Sequence, residues 1–396
     1  MATAAKQIIL VFVGHYRPGF KAGGILRSIE NLVDHLHREF QFMIVTRDRD
    51  LGDDQPYPNI RHCEWQVLKN ARVYYLAPSD ESLQKIRRVV RETPHDLIYL
   101  NSFFEPLTIR VLFNRKLSRT EHAPIVLAPR GEFAWASLRQ RYPKKAVFMA
   151  LARTIALYRG IAWHASSDFE ADDIVRVMKV RRDAIRVALN LPIVTDQARD
   201  GARPIALARQ SGGLRVVFLA RISPEKNLAF ALQLLSRVRA PITFDIIGPI
   251  DDADYWKKCE TLLLKMPDHV ISRYAGSINP AEIMPTLSQY DLLLFPSGGE
   301  NYAHVIAEAL ACGTPVLTSV HTPWRNLETR GLGWDLPLDK PESFVRVIDT
   351  LAAEGEKDRS KRRRIIKENI RSILDDPLVL DANRQLFNLA IAPQKK

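Results

Sequence analysis

Apolar residues along this chain fall into short uninterrupted runs, each followed by a glycine-, proline- or polar-rich stretch and then by a segment with helical spacing. In the first half, Ile8–Val13, Phe42–Thr46, Arg72–Leu76, Asp96–Leu100, the run from Ala123 to the turn at Pro129–Gly131, and Ile161–Ala165 read as strands. In the second half Leu214–Ala220, Thr243–Ile247, Val270–Tyr274 and Leu292–Phe295 do the same. Between them Ile25–Leu36, Ser82–Arg91, a segment starting over Ser166–Ile174 with Ser167 or Asp168 as its cap, Asp252–Leu264 and a basic helix from Pro341 through Arg371 carry the helical pattern. Apolar strands alternating with helices signal a parallel sheet covered on both faces. A length of 396 residues exceeds one ordinary core, so two α/β domains are expected. The first spans 1–190. A linker rich in proline, glycine and small residues occupies 191–213, and the second domain spans 214–377.

The stretch Phe295-Pro-Ser-Gly-Gly-Glu-Asn-Tyr-Ala-His304, continuing to Gly313-Thr-Pro315, reads as strand, loop, helix and then strand. Such a unit sets its loop and helix N-terminus at the carboxyl edge of a parallel sheet, where ligands bind and backbone N–H groups face anions. Glu300 stands in the loop and Glu308 in the helix. At a helical rise, eight residues span roughly 12 Å, which suits one carboxylate at each end of a sugar diphosphate. Alone, the pair reads more readily as one capping and one solvated glutamate; the strand-loop-helix context and Ala309–Val316 reverse that reading. Arg221 at a strand end and Lys226 at the start of the next helix can converge on one dianionic group. Gly23 and Gly24, ahead of Ile25–Leu36, let backbone approach a phosphate or form a plain turn; there is no Gly-x-Gly-x-x-Gly run, so NAD is not expected. Arg130 and Glu132 follow a strand and read either as groups facing a ligand or as a structural ion pair, while His164 reads as a packed strand residue.

Apolar content of 46% and charged content of 26% describe a soluble globular chain. Cys63, Cys259 and Cys312 are far apart and lack metal-ligand spacing, which fits a reducing compartment and no metal site. The N-terminus runs straight into a strand, so no signal peptide is expected, and no apolar run approaches the ~20 residues of a membrane span. A net charge of +12 draws anionic partners. Nucleic acid is excluded as a partner by the absence of helix-turn-helix, RNA-binding strand and zinc signatures. Ser137–Arg159 holds six basic residues, Arg139, Arg141, Lys144, Lys145, Arg153 and Arg159, and no acidic one. Interleaved with Tyr142, Val147, Phe148, Met149, Leu151, Ile155, Leu157 and Tyr158, they predict either docking on an anionic membrane surface or a helix packed on the sheet.

Glu300 and Glu308, with Ala309–Val316 behind them, resemble the Glu-x7-Glu motif of retaining glycosyltransferase family 4. Arg221 and Lys226 are similar to that family's Arg-x4-Lys pair. The resemblance is strongest over Leu214–Trp334 and looser before it. It implies the GT-B fold: two facing Rossmann-like domains with a cleft between them, and a last helix, within 378–396, that crosses back to the first domain. It further implies that Glu300 meets donor-sugar hydroxyls, that Glu308 chelates the ribose, and that Arg221 and Lys226 hold the diphosphate. Asn301, Tyr302 and Ala303 are then donor-binding, Gly23 and Gly24 open a loop near the diphosphate and acceptor, and Pro280–Leu287 takes the place of a loop touching the base. Relatives carry a histidine where this chain has Arg130, so Arg130 and Glu132 become acceptor-side candidates. Pro129–Phe133, Thr322–Trp324 and Gly331–Trp334 resemble a bacterial surface-glycan subgroup. The implied activity is metal-independent retaining transfer, without cofactor, of a hexosyl group from a UDP-, GDP- or ADP-linked sugar to a glycan or lipid-linked acceptor. Catalysis would rest on Arg221, Lys226 and Glu300, the departing phosphate taking the acceptor's proton. The setting implied is polysaccharide or lipopolysaccharide synthesis in the cytoplasm, peripheral on the inner face of the membrane. A sugar-nucleotide epimerase, a phosphorylase, or a non-catalytic partner subunit on a similar frame are the alternatives.

Overall fold

The structure is a computed structural model that describes residues 5–118, 123–134, 137–138, 142–193 and 213–391. The chain divides into two compact units, Met1–Leu191 with Pro377–Lys396, and Pro192–Asp376.

The first unit is built on eight strands: β1 (Gln7–Phe12), β2 (Phe40–Arg47), β3 (Trp65–Leu68), β4 (Ala71–Leu76), β5 (Leu97–Asn101), β6 (Ile125–Ala128), β7 (Ala162–Ala165) and β8 (Ile185–Val187). They lie in the order β3-β4-β2-β1-β5-β6-β7-β8, all parallel except the β3–β4 pair. Helices α1 (Gly24–Leu36), α2 (Leu83–Glu92), α3 (Pro106–Leu117), α4 (Tyr142–Thr154) and α5 (Asp168–Met178) belong to it. Two cores cover its faces: one includes Leu10, Phe12, Leu100, Phe103 and Trp163, the other Val11, Phe42, Tyr99 and Phe387. Because alternate residues of one strand point to opposite faces, both faces of β1 must be apolar, and Ile9 through Phe12 are all fully buried. Ser167 is the cap of α5, accepting from the Glu170 N–H at 3.1 Å.

The second unit has six parallel strands: β9 (Leu214–Leu219), β10 (Ile242–Ile247), β11 (Val270–Gly276), β12 (Leu292–Phe295), β13 (Val316–Ser319) and β14 (Gly333–Leu336). Their order is β11-β10-β9-β12-β13-β14. The helices are α6 (Leu228–Leu235), α7 (Ala253–Leu263), α8 (Pro280–Leu287), α9 (His304–Cys312), α10 (Pro341–Ala352) and α11 (Glu356–Leu374). Strand order reverses between β9 and β12, which pair through Leu292 with Val216 and Leu293 with Val217. The loops after these two strands therefore emerge side by side, at the kind of switch point where open α/β sheets bind ligands.

Two expectations change. Pro280–Leu287 is a helix, not a loop: Asn279 and Glu282 form a reciprocal capping box, and Pro280 in the first turn needs no N–H partner. The basic helix expected from Pro341 through Arg371 is two helices, α10 and α11, with Gly355 as the N-cap of the second. The last helix, α12 (Pro377–Ile391), lies in the first unit, where Phe387 meets Phe40, Phe42 and Tyr99. No helix among the described residues is long and apolar enough to cross a membrane.

Candidate functional site

In the second unit, the chain after β9 carries Arg221 and a short 3-10 turn, Pro224–Lys226; the chain after β12 carries Pro296 to Glu300. Gly298 N–H donates to the Glu225 carbonyl at 2.8 Å, and the Asn227 amide donates to the Pro296 carbonyl at 3.1 Å, so the two loops are laced together. Gly248 at the end of β10 has φ 142°, and a Cβ there would lie 1.8 Å from the Ala220 carbonyl oxygen. Only glycine allows that approach, which fixes the backbone just ahead of Arg221.

Charges gather on this frame. Lys226 Nζ donates to Glu300 Oε1 at 2.6 Å, and Ser297 Oγ donates to the same oxygen at 2.8 Å. Arg221 pairs with Asp251 at 2.7 Å. Burial raises the Glu225 carboxyl above its ordinary range, with Lys226 lowering it and Glu300 raising it further, then Arg221 and Asp251 acting in the same two senses. All four charges are thus felt at one point.

Helix α9 begins directly beyond. Its N-cap, Ala303, has φ 62°, a conformation that costs a non-glycine residue energy and marks functional loops. No side-chain hydrogen bond caps the helix and its first turn holds no acidic residue, so its N-terminal amides present the positive end of the helix dipole to the loop. Glu308, 5% exposed, sits one turn in, on a helix whose side chains lean toward its N-terminus. Tyr302 and Cys312 both feel that charge, each being pushed up first by burial and then by Glu308. Trp324 Nε1 donates to the Tyr302 carbonyl at 2.5 Å, and the Tyr302 ring stands 5.7 Å from the indole. The 12 Å rise between the glutamates needs correction, because the helix starts at His304 and Glu300 precedes it in non-helical chain.

The first unit brings a different group together. Gly23, φ 68°, is the N-cap of α1 and Gly24 its first residue, while Asp50 pins the preceding loop by accepting from Phe20 N–H at 2.7 Å and Lys21 N–H at 3.0 Å. Arg130 and Glu132 do not pair; that reading is corrected. Glu132 turns inward to accept from the Phe104 N–H at 3.1 Å and from the Phe103 N–H, and burial pushes its carboxyl up to about 7. Arg130 turns to Asn101, Asn190 and Tyr99. His164 is a packed strand residue, 2% exposed and bonded at both ring nitrogens, and burial with the nearby Arg130 charge lowers it to about 3.

Ser297, Glu225 and Asp251 were not singled out from the sequence, nor were Tyr99, Asn101 and Asn190. Ser297 was recoverable from its place between strand-ending Pro296 and two glycines; the rest acquire meaning only through strands distant in sequence.

Comparison with known proteins agrees with this architecture. Residues 22–190 match the model described as Glycosyltransferase Family 4, and residues 204–372 match Glycosyl transferases group 1. Sucrose-phosphate synthase from Thermosynechococcus elongatus superposes with a TM-score of 0.72 at 17% identity over 98% of this chain and 100% of that one. Anabaena HepE, solved with UDP and glucose, gives 0.68 at 15% identity over 97% and 99%. WaaG, a glycosyltransferase involved in lipopolysaccharide biosynthesis, gives 0.63 at 13% over 98% and 100%. In sequence, a 41.2 kDa protein in the cps region of Klebsiella pneumoniae is 22% identical over 274 residues, 67% of this chain and 72% of that protein. Two parallel-sheet α/β units with these neighbours define the GT-B fold. With one matched model in each half, the two models and the fold together support a family 4-like glycosyltransferase.

Proposed function

We propose that this enzyme transfers a hexosyl group from a nucleotide sugar to a glycan or lipid-linked acceptor with retention at the anomeric carbon. The observation that supports this reading most is the meeting of Lys226, Glu300, Arg221 and the uncapped start of α9 at the β9–β12 switch point. Cations and helix amides there stabilise the charge that grows on a leaving diphosphate, so the role needs no metal. Glu300 would take donor-sugar hydroxyls and Glu308 the ribose, with Asn301, Tyr302 and Ala303 shaping the donor loop. The C1–O bond to the diphosphate breaks, the acceptor oxygen bonds to C1 on the same face, and its proton passes to the departing phosphate. The neighbour that carries UDP and glucose makes UDP-hexoses the first donors to try, followed by GDP- and ADP-sugars. Incubation with that panel should release sugar slowly without acceptor, and NMR of the product should show the donor's anomeric configuration. Inversion would remove the retaining assignment. Activity should persist in excess EDTA; loss reversed by magnesium would contradict the metal-free step.

Glu308→Ala should weaken nucleoside diphosphate binding about 10- to 100-fold, the effect of losing a charged hydrogen bond worth roughly 1.5–3 kcal/mol. Unchanged affinity in calorimetry would take Glu308 out of the site.

A place on the inner membrane surface fits α4. Met149 and Ala152 pack inward with Leu157 and Tyr158 behind them, yet Val147 and Leu151 remain 61% and 62% exposed and Ile155 38%, four residues apart on one face with exposed Lys144. Helical spacing thus serves the core and also leaves an outward apolar stripe. Lys145 is not available to a headgroup as expected, because it folds back to donate to the Ser137 carbonyl at 2.6 Å and lies 5.1 Å from the Phe104 ring centre. Arg153 likewise donates to the Val177 carbonyl. Arg139 and Arg141 lie outside the described residues. The protein should float with phosphatidylglycerol vesicles at low salt, and the triple variant Val147→Ser, Leu151→Ser, Ile155→Ser should not. Equal flotation of the two would refute docking through this face.

A further inference from the structure

We propose that Arg130 binds an anionic oxygen group, phosphate or carboxylate, carried by the acceptor; the acceptor assignment rests on the glycosyl-transfer reading above. Arg130 follows β6 with φ 58°, and Ser102, just after neighbouring β5, has φ 73°. Two adjacent strand ends thus hold non-glycine residues in left-handed backbone, a cost that persists where the surroundings over-determine it and that clusters at ligand sites.

The guanidinium is held with unusual completeness by neutral groups. Its Nε and Nη2 donate to Asn101 Oδ1 at 3.1 and 2.9 Å, Nη1 to Asn190 Oδ1 at 2.7 Å, and Nη2 to the Tyr99 hydroxyl at 2.8 Å. Tyr99 in turn donates to His164 Nδ1 at 2.7 Å, and His164 Nε2 donates to the Ala188 carbonyl at 2.9 Å. This donor chain sets the tautomer of a neutral imidazole and the orientation of the phenol, and through them the plane of the guanidinium. The network joins the ends of β5, β6, β7 and β8, while Asn101 Nδ2 reaches back to the Phe12 carbonyl at 3.4 Å at the end of β1.

Among the described residues, no carboxylate hydrogen-bonds to or ion-pairs with Arg130. Glu132, two residues on, and Glu170, which holds the Gly131 N–H, are both engaged elsewhere: Glu132 accepts from Phe103 and Phe104, and Glu170 from the N–H groups of Gly131 and Ser166 at 2.6 and 2.7 Å and from the Ser166 hydroxyl. A part-buried cation is expensive unless paired, and structural arginines meet that cost with a carboxylate. Here amides and a phenol fix the geometry and leave the charge, together with one Nη1 N–H, for a ligand. The planar fork suits both phosphate and carboxylate oxygens.

The test titrates the full-length protein with methyl phosphate and with glucuronate by calorimetry, and separately with UDP. At least one of the two small anions should bind wild type and the Arg221→Ala/Lys226→Ala double variant alike. Binding should weaken tenfold or more in Arg130→Gln and by an intermediate factor in Arg130→Lys, which keeps the charge without the fork and also serves if the glutamine variant fails to fold. Whichever anion binds names the group as phosphate or carboxylate. Retained binding in Arg130→Gln, loss in the double variant, or binding of neither anion by wild type would overturn the proposal. UDP affinity should be unchanged in Arg130→Gln; failure of wild type to bind any nucleotide with small-anion binding intact would sink the glycosyl-transfer reading alone.

Discussion

Replacing Arg221 and Lys226 together by alanine should lower kcat about 100- to 1,000-fold, the scale observed when a preorganised donor to a developing oxyanion is removed. In the proposed reaction negative charge builds on the leaving phosphate as the C1–O bond breaks, so cations placed there would gain strength in the transition state and turnover should fall more than KM rises. The two residues are not equivalent. Arg221 shares a half-exposed pair with Asp251, of a kind worth little to stability, so Arg221→Ala should leave the melting temperature almost unchanged. Lys226 is more deeply set, and its loss leaves Glu300 with only the Ser297 hydroxyl among its side-chain donors. Lys226→Ala alone therefore tests both the diphosphate contact and the alignment of Glu300, whereas Arg221→Ala tests the cation by itself. Steady-state kinetics with a saturating donor decide the matter: a KM increase with intact turnover for the double variant would reduce the pair to a ground-state clamp.

How far the sequence reached depends on the range of each interaction. The strands around the site were legible because full burial on both faces leaves uninterrupted apolar runs such as Leu292–Phe295, whose boundaries the structure reproduces. Ser82 and Asp252 each cap the helix that follows, a purely local feature. Short or mixed elements were missed: β3 pairs antiparallel with only four residues, β8 has three, and α3 places charged and apolar residues without a clear apolar stripe. The Lys226–Glu300 pair was out of reach, since 74 residues separate its members and only the adjacency of β9 and β12 joins them. The same holds for Arg130. An Arg-Gly-Glu run invites a local ion pair, yet Glu132 is drawn to the Phe103 and Phe104 amides while Arg130 is drawn to Asn101, 29 residues back, and Asn190, 60 residues on.

Phe387→Ala should destabilise the first unit by about 3–5 kcal/mol, the usual cost of emptying a fully buried aromatic site. Its ring lies 5.5 Å from Phe40, 6.2 Å from Phe42 and 5.3 Å from Tyr99, all close to edge-on, so truncation removes three aromatic contacts along with the buried area. Helix α12 has few other anchors of that size: Leu386 and Asn383 are buried beside it, Asn383 donating to the Leu189 carbonyl at 2.8 Å, while the Arg384–Glu39 pair is about one-third exposed and contributes little. At roughly 2–4 °C per kcal/mol for a unit of this size, the midpoint should drop about 6 to 20 °C. Scanning calorimetry should show the drop in the transition of the first unit, leaving the second near its wild-type position. Arg384→Ala is the matched control and should move neither. The consequence for chemistry follows from Tyr99, which carries Phe387 on its ring and Arg130 and His164 on its hydroxyl. A cavity at 387 lets that ring shift, so acceptor KM should rise below the melting range while UDP affinity stays constant. A variant whose melting profile matches wild type would show that α12 is not part of the first unit's core.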